Sequence, residues 1–249
     1  MKQFLILQSR PEDEASDEEF QAFLLRAGLS GDRVRRIRLD EGPIPTLALE
    51  DYAGVIVGGG PACISDAPDV KSPQEARVEA DILSLMPAII ARDMPFMGCC
   101  YGMGILAHHL GGQVSKARYG EAVGGVDCHL TTAGAADPML AGVPSEFRAL
   151  VGHKEAVQDL PAGAVHLVGS EPCPFQMIRT GQNVYATQFH PEADGQSFAT
   201  RIRIYGDRGY FPPEKGAALM EKVLAERISM PALILRNFVA KFGGKYAVE

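Results

Sequence analysis

The chain has 249 residues, a formal net charge of −7 and a sequence pI of about 5.4. That acidity offers no electrostatic case for nucleic acid or an anionic membrane surface. Hydrophobic residues make up 46% and charged residues 22%, an ordinary profile for a chain long enough to bury a sizeable core.

The start, MKQFLILQSR, turns polar too soon for a signal peptide, and no apolar run is long enough to span a bilayer. Lys2–Gln8 is a first strand. Ser16-Asp17-Glu18-Glu19 reads as a capping box opening a helix to about Ala27, with Gly28 as its stop. Val34–Leu39 alternates like a strand, and Tyr52–Val57 is a continuous apolar strand running into Gly58-Gly59-Gly60-Pro61. Ser72–Arg92 carries a helical pattern in Ala76, Val78, Ala80, Leu83 and Met86. Strands alternating with helices predict a doubly wound, mostly parallel α/β sheet with helices on both faces. Ligands in such sheets sit at the carboxyl ends of the strands.

The stretch from Met94 to Gly112 predicts a short buried strand, an abrupt turn and a helix. Gly98 and Gly102 flank Cys100 two residues away on each side, the spacing of a nucleophile elbow. Glycines there let strand and helix approach closely around a strained residue. At the first turn of the helix, free N–H groups and the helix dipole favour a thiolate, and the amide of Tyr101 can face an oxyanion. Cys99 lacks this spacing and reads as a small core hydrophobe.

Beyond Gln113 the chain predicts a smaller antiparallel region. Its strands are Gln113–Ala117, Val123–Leu130, Ala164–Gly169, Phe175–Thr180 and Asn183–Phe189, with a tight turn at Gly181-Gln182. No linker or change of composition separates it, so one domain is expected over 1–249. Residues from about 195 to 230 form a helical insertion, including a helix at about Glu214–Arg227. Pro231 opens a last amphipathic helix.

A second cluster of chemistry is Gln188-Phe189-His190-Pro191-Glu192. Pro191 biases His190 toward extended backbone, where His190 and Glu192 point to the same side. The carboxylate can then fix the imidazole tautomer, and His190 can serve as base and acid for Cys100. A third element, the triglycine turn, has no Gly-Lys-Ser/Thr and no G-x-G-x-x-G, so it is neither a phosphate loop nor a dinucleotide fingerprint. Its backbone amides suit an oxyanion hole or a plain strand-ending turn. Five cysteines, odd in number and without a C-x-x-C pair, point to a reducing cytoplasm rather than a disulfide framework. No metal site is expected, since His108 and His109 are adjacent and diverge on a helix.

Together, Gly98-Cys99-Cys100-Tyr101-Gly102, Gln188-Phe189-His190-Pro191-Glu192 and Val57-Gly58-Gly59-Gly60-Pro61 closely resemble the class I (triad) glutamine amidotransferases, most of all the subgroup similar to the amidotransferase domain of GMP synthase. The resemblance covers roughly Lys2–Glu192 and resumes at Leu233–Phe238. It implies a flavodoxin-like fold, Cys100, His190 and Glu192 as the triad, and oxyanion amides at Gly59, Gly60 and Tyr101. A loop aligned with Val151-Gly152-His153-Lys154-Glu155 would help hold the substrate's amino-acid end, through Gly152 and His153.

The implied activity is hydrolysis of the γ-amide of glutamine through a γ-glutamyl thioester, with no cofactor. Ammonia would pass to a separate synthetase partner. Two alternatives remain: a free-standing hydrolase of glutathione-like γ-glutamyl compounds, and a non-catalytic binding homologue. Two departures stand out. Gly104 occupies a position where the family commonly has glutamine, and the loop reads His-Lys-Glu where these members tend to have His-Gly-Asp. The insertion is expected to lie near the site and to affect substrate or partner choice.

Overall fold

The computed structural model describes residues 1–244. The chain runs β1 (Gln3–Gln8), α1 (Asp13–Ala27), β2 (Val34–Arg38), β3 (Tyr52–Val57), α2 (Pro73–Ala91), β4 (Phe96–Cys99) and α3 (Tyr101–His109). It continues with β5 (Val114–Ser115), β6 (Gly124–Leu130), α4 (Thr132–Ala136), β7 (Glu146–Val151), β8 (Ala156–Val157), β9 (Val165–Ser170), β10 (Met177–Thr180) and β11 (Val184–Thr187). Helices α5 (Gly195–Ile204), α6 (Gly216–Ala225) and α7 (Pro231–Phe242) complete it.

The main sheet has the order β2-β1-β3-β4-β11-β10-β9-β6-β7. Its first five strands pair in parallel; the pairings from β11 through β10, β9 and β6 to β7 are antiparallel. Strands β5 and β8 form a separate two-stranded antiparallel sheet. The inner parallel strands β1, β3, β4 and β11 are largely apolar because both faces are covered, whereas the edge strand β2 carries Arg35, Arg36 and Arg38. In β1, Phe4 and Ile6 join the core under α1 and α7 with Phe23 and Phe238, while Leu5 and Leu7 join the opposite core with Ile82 and Met86 of α2. Successive residues of one strand thus feed two different cores. Strands β3, β4 and β11 lie side by side, which brings the triglycine turn, Cys100 and His190 to one end of the sheet.

Three expectations need correction. The first helix begins four residues earlier than Ser16-Glu19 suggested, with Glu12 as its N-cap. Ser16 is buried within it, where its hydroxyl accepts from Arg36 at 3.0 Å and its carbonyl accepts from Gln8 at 2.7 Å. The acids Asp13 and Glu14 occupy the first turn and suit the helix dipole. A capping box does form, but at Ser72 and Glu75 of α2. Second, Gln113–Ala117 shortens to the two residues of β5. Third, β7 was not foreseen. It lies at the sheet edge and mixes Glu146 and Arg148 with apolar residues, so its signal is weak. Gly28 ends α1 in the left-handed conformation, φ 68°, as its position predicts.

The segment after Glu192 is only partly helical. Helices α5 and α6 pack against each other, and the stretch between them holds Tyr205, Tyr210 and Phe211. Tyr210 and Phe211, with Val123, Leu150, Phe198, Ile202 and Val223, make a third small core beside Cys100.

Candidate active site

Cys100 stands between β4 and α3 with φ 52° and ψ −93°, a conformation that L-residues rarely adopt. Its neighbours over-determine it. The Cys100 amide donates to Thr187 O at 2.7 Å, and its carbonyl accepts from Met103 N at 2.9 Å. Both elbow glycines are sterically required. A Cβ on Gly98 would lie 2.6 Å from Gly102 O, and one on Gly102 would lie 3.0 Å from Val57 O. The strain persists because strand, helix and β11 leave no alternative.

His190 follows β11, and its backbone N–H donates to Leu150 O at 3.0 Å. Its Nδ1–H donates to Glu192 Oε1 at 2.8 Å, which leaves the Nε2 lone pair free. His190 and Cys100 line one cavity, and the position of a Cβ on Gly59 falls 2.6 Å from His190 Cε1. The ring packs edge-on against Phe198, 5.3 Å between centroids. Burial pushes the Cys100 thiol up to about 12, against an opposing pull from Arg10. Burial also lowers His190; Glu192 resists this, while Arg201 and Arg10 reinforce it. Glu192 is fully buried, which favours its neutral form, yet His190 and Arg201 outweigh burial and hold it well below the usual carboxylate range.

Of the expected oxyanion amides, Gly59 N–H is engaged by Glu19 Oε1 at 3.2 Å. Gly60 and Tyr101 amides make no hydrogen bond among the described residues, so they are the pair left to face a ligand. The Gly152 carbonyl lies 4.0 Å from Cys100 Sγ. Both ring nitrogens of His153 are engaged. Its Nδ1 bonds Glu155 O at 2.8 Å and its Nε2 bonds Glu121 Oε2 at 2.7 Å, which ties the loop down.

Glu121, His153 and Cys173 place ligand atoms within 4.8 Å of one another. His153 and Glu121 are already engaged with each other, and Gln176 and Ser170 also donate to Glu121. The cluster therefore reads as a buried hydrogen-bond network that fixes the 152–155 loop.

Several residues were missed by sequence reasoning. Glu155 accepts from Ile64 N and Ser65 N, both at 2.9 Å. A Cβ on Gly104 would stand 3.2 Å from Glu155 Oε1, so the small Gly104 and the large Glu155 are matched departures that fill one space. Arg201 of α5 donates from Nη1 to Glu192 Oε1 at 2.8 Å, the same oxygen that accepts from His190, and from Nη2 to Glu18 at 3.2 Å. Arg10, just beyond β1, pairs through Nε with Glu19 at 2.8 Å. Its place at the carboxyl end of a central parallel strand was the available signal.

Tyr210 borders two cavities that meet at Cys100. One is lined by Cys63, Gly104, His153, Lys154, Glu155 and Gln188. The other holds His190, Arg10 and Arg201 among Val123, Phe198, Ile202, Tyr205 and Phe211. The Tyr210 hydroxyl donates to Gly60 O at 3.2 Å, and its ring lies 4.9 Å from Lys154 Nζ.

A mostly parallel α/β sheet thus carries a strained cysteine elbow at the end of β4 and a histidine–carboxylate pair just beyond the neighbouring β11. The glutamine amidotransferase class-I family model matches residues 19–203, and the chain belongs to that family. Members of this family hydrolyse glutamine amide bonds. The chain is 33% identical over 156 residues to a GMP synthase [glutamine-hydrolyzing] of Thermosipho africanus, covering 60% of this chain and 26% of the relative. It is 34% identical over 162 residues to that of Streptococcus equi subsp. equi, covering 62% and 26%. It thus spans about a quarter of the length of these relatives. A glutamine amidotransferase of Thermotoga maritima shares the fold, with a TM-score of 0.75 at 19% identity, over 98% of this chain and 100% of that one. A glutamine amidotransferase of Methylobacillus flagellatus gives 0.70 at 22% identity, over 98% and 93%. Among the described residues, no helix is long and apolar enough to cross a membrane.

Proposed function

We propose that this chain hydrolyses the γ-amide of glutamine through Cys100, His190 and Glu192. The observation that supports this most is the 2.8 Å bond from His190 to Glu192 beside a cavity that His190 shares with Cys100. Burial keeps both the thiol and the imidazole uncharged at neutral pH. His190 Nε2 therefore takes the thiol proton as sulfur attacks the carbonyl carbon of the side-chain amide. Gly60 and Tyr101 amides stabilise the oxyanion, His190 returns its proton to the departing amine, and ammonia leaves. Water then cleaves the γ-glutamyl thioester, with His190 again as base, giving glutamate. Glu192 orients the imidazole and stabilises its charged form. No step calls on a metal or cofactor.

The relatives named as GMP synthases support the further reading that the ammonia passes to a synthetase partner. The 195–230 insertion, within one domain spanning 1–249, shapes the amine side of the site. The test is glutamate release from glutamine by the purified chain, with Cys100→Ser as control and mass detection of a thioester on Cys100. No release and no thioester, with or without a GMP synthase ATPase partner, would remove the proposal.

A further inference from the structure

Glu19 is a fully buried carboxylate of α1, the last residue of the Ser16-Glu19 stretch that reads as a cap in the sequence but lies inside the helix. A carboxylate taken out of water must be met by donors. Three meet this one: Arg10 Nε at 2.8 Å and Gly59 N–H at 3.2 Å on Oε1, and Gln8 Nε2 at 2.9 Å on Oε2. A Cβ on Gly58 would lie 2.5 Å from Oε2, so the triglycine turn sits directly on the carboxylate. The preceding residue, Glu18, pairs with Arg201, which holds Glu192. Two consecutive acids of one helix thus reach the turn and the His190–Glu192 pair.

Three consecutive glycines have the widest choice of backbone conformation, so the turn does not fix its own peptide planes. Other groups do. Gly58 N–H donates to Leu7 O at 3.0 Å. The peptide between Gly58 and Gly59 gives its N–H to Glu19. The peptide between Gly59 and Gly60 has its carbonyl held by Ser9 Oγ, which donates at 3.0 Å. Ser9 is buried just beyond β1, and a Cβ on Gly60 would overlap its Oγ. In a trans peptide the N–H points opposite to the C=O, so holding the Gly59 carbonyl sets where Gly60 N–H points. That N–H has no partner among the described residues, and Gly60 borders both cavities that meet at Cys100.

We propose that Ser9 and Glu19 are positioning residues of the oxyanion turn. Glu19 holds the peptide plane before Gly59, Ser9 holds the one after it, and Gly60 N–H is thereby presented to the oxygen of the tetrahedral intermediate. The proposal rests on the thiol mechanism above. Neither side chain touches substrate. Both act on the step in which the carbonyl oxygen gains charge, because a donor already aimed needs no reorganisation at that moment. Without the Ser9 hydroxyl the peptide between Gly59 and Gly60 is free to turn, and Gly60 N–H spends part of its time aimed elsewhere. Substrate binding does not depend on that orientation, and neither does the protonation of His190, which is set by Glu192, Arg201, Arg10 and burial.

The experiment sets hydrolysis against alkylation. Glutamine hydrolysis passes through an oxyanion, whereas displacement of iodide from iodoacetamide by the Cys100 sulfur passes through none. Ser9→Ala should lower kcat for glutamine by roughly tenfold, part of the ~10²–10³ that one oxyanion donor supplies, with KM and the acid limb of the pH profile unmoved. Alkylation of Cys100 should stay within about twofold of the unaltered chain, since it calls on no oxyanion donor. Ser9→Thr keeps the hydroxyl and should recover most of kcat. If Ser9→Ala fails to fold, Glu19→Gln gives the same comparison, because it removes the charge that strengthens the bond from Gly59 N–H. An unchanged kcat overturns the proposal, as does an equal fall in hydrolysis and alkylation, which would reduce these residues to packing. Both results leave the amidohydrolase reading intact, because the unaltered chain still releases glutamate. No glutamate and no thioester from the unaltered chain removes both.

Discussion

The two cavities that meet at Cys100 differ in origin as much as in chemistry. The polar one is built from the ends of the sheet and the 152–155 loop: Gly60, Gly104, His153, Lys154, Glu155 and Gln188. The aromatic one is walled largely by α5 and the stretch that follows: Phe198, Arg201, Ile202, Tyr205, Tyr210 and Phe211. On the proposed mechanism, elements of the parallel sheet would hold the γ-glutamyl group, while a later segment would set what can sit beside His190. Chemistry and selectivity would then be separable, because different stretches of chain carry them. Changes on one side should alter all substrates alike, and changes on the other should alter their ranking.

The largest effect tests what the two sides share. Cys100→Ala removes the sulfur that both cavities border, and turnover of every γ-glutamyl substrate should fall by at least about 10³-fold. Residual turnover of one substrate but not another would mean that the two cavities do not serve one nucleophile.

Next in size is Arg201→Met. Arg201 touches Glu192 and not the thiol, so it is a positioning residue. On the proposed mechanism His190 acts as base only when neutral. Burial, Arg201 and Arg10 lower its pKa while Glu192 raises it. Removing Arg201 takes away one lowering influence, so the acid limb of kcat/KM should move to higher pH. Loss of the guanidinium that helps hold the Glu192 oxygen should also cost about tenfold in kcat, part of the ~10²–10⁴ that general base catalysis supplies. Arg201→Lys should restore the position of the limb. A fall in kcat with an unmoved limb would reduce Arg201 to packing.

Gly104→Gln probes the polar side with a smaller effect. A Cβ there meets Glu155 Oε1 at 3.2 Å and Ile64 Cγ2 at 3.3 Å, so the new side chain displaces Glu155 from the Ile64 and Ser65 amides. KM should rise several-fold, about 1 kcal/mol, equally for glutamine and for larger γ-glutamyl compounds. A change in their ranking would show that the cavities are not independent.

The same division explains what the sequence made legible. The elbow was readable because its glycines have a local steric cause: Gly98 and Gly102 touch each other's neighbourhood and Val57. The His190–Glu192 pair was readable because Pro191 constrains two residues that are close in sequence. Arg10 and Arg201 were not, because their partners Glu19 and Glu192 are chosen by folding. The charge of a buried arginine looks like a surface charge until its neighbours are known. Glu155 was hidden for a similar reason. The donors its carboxylate accepts from, the Ile64 and Ser65 amides, lie 91 and 90 residues away. Ser16-Glu19 misled because a local capping pattern was overridden by tertiary bonds from Gln8 and Arg36.

The smallest expected effect concerns the wall between the cavities. Tyr210 borders both, is only half-buried, and is fastened by its hydroxyl to Gly60 O and by its ring to Lys154. Lys154 in turn donates to Pro61 O at 2.8 Å, so the fastening bridges the triglycine turn and the 152–155 loop. Tyr210→Ala removes both ties without touching His190 or Glu192. Alkylation of Cys100 by iodoacetamide should speed up by about two- to five-fold, because the reagent reaches sulfur through an opened wall. The cost in stability should stay near 1 kcal/mol, since the ring is partly in solvent. Tyr210→Phe keeps the ring and loses only the hydroxyl, so it should fall between the two. An alkylation rate unchanged in both variants would show that access to Cys100 is set elsewhere, and the aromatic side would then be a fixed wall rather than one that opens.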